Sequence, residues 1–109
     1  MPRITVRGLS VDQVCQMSES LVEQLAAICD CETDNFTLEC NTHPSIFAGK
    51  IVPAYPFIEV AWFERGPAIR DQVAKAITDH VLALGIPEVE VAFTFYAENG
   101  YYINGISCG

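Results

Sequence analysis

Pro2-Arg3-Ile4-Thr5-Val6, near the start of the chain, returns 54 positions later as Pro56-Phe57-Ile58-Glu59-Val60. Proline opens both stretches, and an isoleucine and a valine then occupy matching alternate positions. Apolar residues further along also correspond, at a spacing of 56: Leu21 with Ile77, Leu25 with Val81, and Ile28 with Leu84. A repeat of this length indicates two copies of one supersecondary unit.

The first copy predicts a strand, a helix and a second strand. Ile4 and Val6 alternate with polar residues, which is typical of a strand with one apolar face. Ser10 and Gln13 then form a capping-box pattern for a helix. The core-facing stripe of this helix follows at spacings of three and four: Val14, Met17, Leu21, Leu25 and Ile28. Alternation returns over residues 36–41, which predicts the second strand.

The second copy follows the same order. Residues 57–63 alternate as a strand, and Gly66-Pro67 begins a helix with proline in its first turn. The buried stripe of this helix is predicted to consist of Ile69, Val73, Ile77, Val81 and Leu84. Gly85 and Pro87 end the helix, and residues 89–96 alternate as a fourth strand.

Two further segments are less regular. Residues 43–55 contain two prolines and a glycine, and we predict a loop or an irregular hairpin there. Asn99-Gly100 is a turn signal, which leaves a short final strand at about 101–104.

The order of these elements predicts an α+β fold in a single domain, residues 1–109. Each β-α-β unit makes a right-handed crossover between two parallel strands. Repeat one covers about 2–43 and repeat two about 56–96, and together they form a four-stranded mixed sheet with both helices on one face. The strand residues predicted to lie under the helices are Ile4, Val6, Phe36, Leu38, Ile58, Val60, Val91 and Phe93.

The opposite face of the predicted sheet, here called the open face, mixes charges with aromatic residues. It carries Arg3, Thr5, Arg7, Thr37, Glu39, Asn41, Phe57, Glu59, Ala61, Phe63, Glu90, Thr94 and Tyr96. Parallel strands are seldom left bare on one side, so we expect self-association to bury this face. Arg7 is expected to pair with Glu39 or Glu59. A solvated face is the alternative, and the aromatic residues disfavour it.

Composition excludes several functional classes. The formal net charge is −8 and the six cations are scattered, so nucleic acid is not an expected partner. The chain contains no run of about 20 apolar residues, so no membrane contact is expected. It also lacks a secretory signal pattern, which favours the cytoplasm.

The five cysteines are odd in number, which argues against a disulfide framework. Cys29-x-Cys31 has no histidine at a supporting spacing, so no metal site is predicted. Cys15, Cys29 and Cys40 are expected to be small buried hydrophobic residues, and Cys31 to be a loop thiol.

A set of short motifs runs through the chain in a fixed order. They are Met1-Pro2, Phe36-Thr37-Leu38-Glu39, Tyr55-Pro56, Glu59-Val60, Trp62-Phe63-x-Arg65 and Tyr101-Tyr102-x-x-Gly105. With the paired β-α-β units, this layout resembles the tautomerase superfamily, which includes 4-oxalocrotonate tautomerase and macrophage migration inhibitory factor. It resembles most closely an uncharacterised bacterial family of tautomerase-like proteins.

The resemblance implies a homotrimer and a cofactor-independent isomerase. Once Met1 is removed, the secondary amine of Pro2 would act as the base in keto-enol proton transfer on a small carbonyl acid. An α-amino group titrates near about 8, and an apolar pocket lowers that pKa because it disfavours the charged form. The residues proposed to bind substrate are Arg7, Glu39, Lys50, Trp62, Tyr101 and Tyr102.

The chain also departs from the better-known members of the superfamily. Leu9 and Thr37 fall near the positions of the two substrate-binding arginines of 4-oxalocrotonate tautomerase, and Glu32 falls near a lysine of macrophage migration inhibitory factor. Two hypotheses therefore stay open: an isomerase that uses Pro2, or a non-catalytic trimeric ligand-binding or interaction module. In the second, Pro2 is only a strand-opening proline, as Pro56 is.

Overall fold

A computed structural model describes residues 2–109 and contains two long helices and a four-stranded sheet. The sheet strands are β1 (Arg3–Arg7), β2 (Thr37–Asn41), β5 (Phe57–Trp62) and β6 (Glu90–Phe95), and the helices are α1 (Val11–Cys29) and α2 (Pro67–Leu82). Two short hairpins complete the fold: β3 (Ser45–Phe47) with β4 (Lys50–Val52), and β7 (Tyr102–Ile103) with β8 (Ile106–Ser107).

The sheet has the order β2-β1-β5-β6 and is mixed. β1 runs parallel to β2 and β5 runs parallel to β6, each pair being joined by its own crossover helix. The two repeats meet where β1 runs antiparallel to β5, with Ile4 opposite Val60. This confirms the predicted α+β fold with two β-α-β repeats. Because the repeats run in opposite directions, Pro2 and Pro56 lie at opposite ends of the sheet.

Both helices pack on one face of the sheet, as predicted. α1 begins with the capping box: the Ser10 hydroxyl accepts from the Gln13 amide, and the Gln13 side chain accepts from the Ser10 amide. The two helical stripes and the inward-facing strand residues form one core. Its fully buried members include Ile4, Val6, Leu21, Leu25, Ile58, Val60, Ile77 and Val81. Neither helix is long and apolar enough to cross a bilayer within residues 2–109.

The prediction that Cys15 is buried is wrong, since this residue is exposed. Cys15 follows Val14 directly, about 100° further around the helix, and so falls outside the stripe that Val14 and Met17 define. Cys29 and Cys40 are half-buried, and all five cysteines are free thiols.

On the open face, the predicted partner of Arg7 is also wrong. Glu39 forms an ion pair with Arg3, at 2.9 Å between Nε and Oε1. Glu39 and Glu59 both flank Thr5 in the register, midway between the two arginines, so the strand positions alone allow either pairing. Among residues 2–109, Arg7 has no ion pair within 4.0 Å.

Both of the less regular regions form hairpins. The β3–β4 hairpin realises one of the two forms predicted for residues 43–55. Near the C-terminus, the expected lone strand is instead the β7–β8 hairpin, which turns at Asn104 (φ 51°) and Gly105 (φ 79°). Two successive residues with positive φ are typical of a type I′ hairpin turn, which favours Asn-Gly. Asn104-Gly105 is therefore the sequence signal for this hairpin. Residues 98–100, predicted as a turn, form a short 3₁₀ helix.

Gly8 lies against the backbone of the residues that lead into β5. A β-carbon at this position would lie 2.6 Å from the Cα and N of Pro56 and from the carbonyl carbon of Tyr55. Gly8 also has a φ of +87°, which side-chain-bearing residues rarely adopt. The start of β5 can therefore reach its place beside β1 only because residue 8 has no side chain.

We expect Gly8→Ala to lower the free energy of unfolding by about 3 kcal/mol, combining backbone strain with a backbone clash. Gly85→Ala is the matched control, because Gly85 has nearly the same φ (+88°) and a β-carbon there would meet no atom within 4 Å. The control should cost only about 1 kcal/mol of strain. Urea denaturation of both variants measures the difference, and equal losses would contradict the clash.

Candidate active site

Pro2 lies at the start of β1, and its side chain is fully buried. Its carbonyl oxygen accepts a hydrogen bond from the Thr37 amide at 3.2 Å, which ties it to β2. On the other side, Arg3 is paired with Ala61, so the antiparallel register places Trp62 beside Pro2. Pro2 is therefore held between the start of β2 and the end of β5.

Trp62 and Arg65 form a stacked pair beside Pro2. Trp62 is only 1% exposed, and its ring contacts that of Phe93 at 5.2 Å between centroids. The guanidinium carbon of Arg65 lies 5.3 Å from the centroid of the Trp62 ring, within the range of a cation–π contact. Two buried N–H donors of this pair, Trp62 Nε1 and Arg65 Nε, have no hydrogen-bond partner among the described residues.

The turn from β5 into α2 holds Arg65 in this position. The Glu64 carboxylate accepts from the backbone amides of Arg65 and Gly66, at 2.9 and 3.2 Å, and forms an ion pair with Arg70. Gly66 has a φ of +91°, which glycine adopts without strain and which directs the chain into α2. Pro67 then occupies the first turn, as predicted.

The C-terminal end of α1 reaches the same site. α1 ends at Asp30 in the left-handed conformation, and the Cys31 amide donates to the Ala26 carbonyl at 3.0 Å. Burial raises the pKa of the Cys29 thiol; the nearby charge of Arg65 opposes that shift, and Cys31 adds to it. Arg65 thus acts electrostatically on Cys29 as well as stacking on Trp62.

An aromatic cluster occupies the open-face side of this end of the sheet. The ring of Phe63 lies 5.0 Å from that of Tyr101 and 6.4 Å from that of Tyr96, both in edge-to-face arrangements. Tyr96 and Tyr101 are 5.4 Å apart, and the Tyr96 amide donates to the Trp62 carbonyl at 2.8 Å. These contacts place Tyr101 at the same end as Pro2.

The structure brings together only part of the site predicted from the sequence. Pro2, Trp62 and Tyr101 lie at one end of the sheet. Arg7 lies at the other end of β1, about 17 Å away along the strand. The hairpin that carries Lys50 also joins the sheet at the Arg7 end.

The remaining two predicted residues lie elsewhere. Glu39 lies midway along the edge strand β2, in its ion pair with Arg3, and Tyr102 is exposed in the C-terminal hairpin. Within one chain, therefore, neither residue joins Pro2 in a common pocket.

Sequence reasoning left Arg65 out of the predicted site. The signal that could have found it was its position directly after a strand that runs antiparallel to the strand of Pro2. Because β5 and β1 are antiparallel, a cation that follows β5 lies at the end of the sheet where β1 begins. Among residues 2–109, no group of three His, Cys, Asp or Glu side chains is arranged to hold a metal ion.

The sequence and the structure both match one protein family. Residues 1–107 match the family described as a domain of unknown function, DUF1904. The chain belongs to the DUF1904 family. A crystal structure of a DUF1904 domain from Sebaldella termitidis shares 34% identity and covers 98% of this chain and 99% of its own, with a TM-score of 0.89. No curated protein matches the sequence significantly.

More distant structures share the fold of this DUF1904 chain. A fused 4-OT asymmetric trimer has a TM-score of 0.78 at 15% identity, and Pt0534 inactivated by 2-oxo-3-pentynoate has 0.75 at 19%; each match covers 98% of this chain and 94% of the other. A macrophage migration inhibitory factor-like protein from Entamoeba histolytica has a TM-score of 0.68 at 14% identity, over 97% and 96% of the two chains. The predicted tautomerase-superfamily fold is thereby confirmed.

The electrostatic influence of Arg65 on Cys29 can be tested through thiol reactivity. Arg65→Gln removes the charge that opposes the raised pKa of Cys29, so the pKa should rise further and less thiolate should be present at a given pH. We expect slower alkylation by iodoacetamide at about pH 8, measured in a background where the other four cysteines are serine. Lys75→Gln, which removes an exposed cation of α2, should leave the alkylation rate unchanged. Equal slowing in both variants would contradict a specific electrostatic effect of Arg65 on Cys29.

Proposed function

We propose that this protein is a tautomerase-like isomerase that acts in the cytoplasm on a small carbonyl acid. The observation that carries the proposal is the position of Pro2, which directly precedes β1 at the end of the sheet that also holds Arg65, Trp62 and Tyr101. Removal of Met1 would turn the Pro2 nitrogen from an amide into a secondary amine. The likeness to a structure inactivated by 2-oxo-3-pentynoate, a small 2-oxo monocarboxylate, supports an anionic carbonyl ligand.

The surroundings of Pro2 suit a neutral amine near neutral pH. Burial disfavours the ammonium form, and Arg65, a cation at the same end of the sheet, would act in the same direction. A base with a pKa close to the working pH is the most effective in proton transfer. Pro2 would take a proton from the carbon beside the carbonyl, the C–H electron pair would form the enolate, and the proton would return to oxygen or to a more distant carbon.

Arg65 is the residue that we assign to the anionic part of the substrate. Its guanidinium lies over the Trp62 ring at the Pro2 end of the sheet, and the Glu64 turn fixes its backbone. A cation and fixed N–H donors stabilise the negative charge that develops on the enolate oxygen. Arg7 and Lys50 could contribute to such a site only from a neighbouring subunit.

A homotrimer is part of the proposal. The β3–β4 hairpin exposes Phe47 at 75% and Ile51 at 76%, and the C-terminal hairpin exposes Ile103 and Ile106. Exposed apolar side chains on projecting hairpins mark a protein–protein contact. The fused 4-OT structure with the same fold is a trimer, which supports three copies.

The second candidate is a trimeric ligand-binding or interaction module without catalysis. It is favoured by the close correspondence of Pro2 and Pro56. The carbonyl of Pro56 accepts from the Glu90 amide at 3.1 Å, just as that of Pro2 accepts from the Thr37 amide. Since Pro56 serves only to open a strand, Pro2 could do the same wherever Met1 is retained.

Activity of the untagged protein tests the choice between the two candidates. Intact mass first establishes whether Met1 is absent, and ketonisation of enol-pyruvates is then followed by ultraviolet absorbance. Pro2→Ala should reduce kcat/KM by on the order of a hundredfold, because general base catalysis contributes at least that much. Pro56→Ala, at the opposite end of the sheet, should keep the parent rate; full activity in Pro2→Ala would exclude the proline mechanism.

The trimer is tested by charge placed on the projecting hairpin. Phe47→Glu together with Ile51→Glu should convert the parent trimer to monomer, because burying two carboxylates in an apolar contact is costly. Light scattering after gel filtration gives the mass. Val11→Glu adds a charge of the same sign at an exposed residue of the first turn of α1 and should remain trimeric. If the double hairpin variant were still a trimer, the hairpin would not be part of the interface.

A further inference from the structure

The buried indole N–H of Trp62 is unusual in a well-packed core. Trp62 is 1% exposed, and Nε1 is a donor only, so it cannot be satisfied by accepting a hydrogen bond. Nε1 has no partner among residues 2–109, and neither has the adjacent Arg65 Nε. A buried donor left without an acceptor is destabilising, and such groups are rare in native structures. Two buried donors without a partner, on residues whose side chains stack, point to an acceptor that residues 2–109 do not supply.

The chemistry of the two donors defines that acceptor. Both groups carry only N–H, and one belongs to a permanent cation, so the complementary atom is an oxygen with negative charge. Arg65 is partly exposed whereas Trp62 is buried, so a ligand would approach from the side of Arg65. A carboxylate has two oxygens and can accept from two donors at once.

Stacking fixes the relative position of the two donors. The guanidinium lies across the indole face, and Phe93 supports the indole from within the core. Glu64 anchors the backbone of Arg65, and Arg70 anchors Glu64. The donors are therefore pre-positioned, which reduces the ordering cost that a ligand has to overcome.

We propose that Trp62 Nε1 and Arg65 Nε together bind one carboxylate of a small carbonyl acid, which makes Trp62 a ligand-binding residue and not only a core residue. This inference rests on the proposed function for the carbonyl part of the ligand, but the carboxylate site itself requires no turnover. Because a single cation, Arg65, supplies the charge of the donor pair, the site accommodates a monocarboxylate. A dicarboxylate would leave its second charge unpaired.

Trp62 is the only tryptophan in the chain, so its indole gives one resolved signal in a ¹H–¹⁵N correlation spectrum. The parent protein and Pro2→Ala are titrated with pyruvate, and with methyl pyruvate as the uncharged matched control. We expect pyruvate to shift the indole proton resonance downfield, with a saturable dependence on concentration, in both proteins. Methyl pyruvate should leave this chemical shift unchanged. No saturable movement with pyruvate, or equal movement with methyl pyruvate, overturns the inference.

Substitution gives an independent readout by calorimetry. Trp62→Phe keeps an aromatic ring and removes the N–H, and it should weaken pyruvate binding by about tenfold, the value of one hydrogen bond to a charged group. Phe93→Leu disturbs the packing of Trp62 without removing the donor, and it should lower the melting temperature while the Kd changes little. If both variants weaken binding equally, Trp62 acts through packing and the inference is wrong.

These measurements separate the two proposals. A saturable change in the indole chemical shift, in a protein that turns over no enol-pyruvate, would support the carboxylate site and contradict the isomerase function. The opposite result is normal turnover with no change in the indole chemical shift and an unchanged KM in Trp62→Phe. It would support the isomerase function and contradict ligand binding by Trp62.

Discussion

The antiparallel pairing of β1 with β5 is the contact on which the rest of this structure depends. It joins the two repeats into one sheet and buries Ile4, Val6, Ile58 and Val60 beneath both helices. It also sets what lies beside each proline: Trp62 beside Pro2, and Gly8 beside Pro56. A shift of one residue in this register would turn every aliphatic residue of β1 toward the open face, so the core enforces the register that builds the site.

The two ends of the sheet are similar in backbone and different in chemistry. Each proline carbonyl accepts an amide from the neighbouring parallel strand. At the end of β5, Trp62 and Arg65 each carry a buried N–H donor without a partner among residues 2–109, whereas β1 is followed by Leu9, which is buried. The repeat supplies two similar backbone ends, and among residues 2–109 only the β5 end adds buried N–H donors without a partner, with Arg65 as its cation. The cation is local, which matters in a chain whose formal net charge is −8.

The charge on the open face has a different role from that of Arg65. The Arg3–Glu39 pair is more than half exposed in the single chain, and exposed pairs of this kind contribute little to stability. Burial of the face in a trimer would remove water from these groups and make their pairing consequential. In that case the pairing would set the orientation of one copy against another more than it would stabilise the fold of each copy.

Sequence pattern alone determined the repeats, both helices with their buried stripes, the capping box at Ser10 and the parallel pairing within each unit. These features are local, because periodicity and capping depend on residues within a few positions of one another.

The predictions that failed have physical causes too. Residue type predicts a buried Cys15 although its helical position lies off the stripe, and Asn99-Gly100 carries the same Asn-Gly turn signal as the true hairpin turn at Asn104-Gly105. Only the tertiary structure decided which side chains share the end of the sheet with Pro2. Arg65 is 63 positions from Pro2, and the register between the two repeats brings them to the same end. The same is true of Glu39, whose choice of Arg3 over Arg7 depends on side-chain geometry between strands and not on spacing along either strand. Contacts across the sheet are non-local, and a single chain's periodicity carries no information about which of two equally spaced partners a side chain will meet.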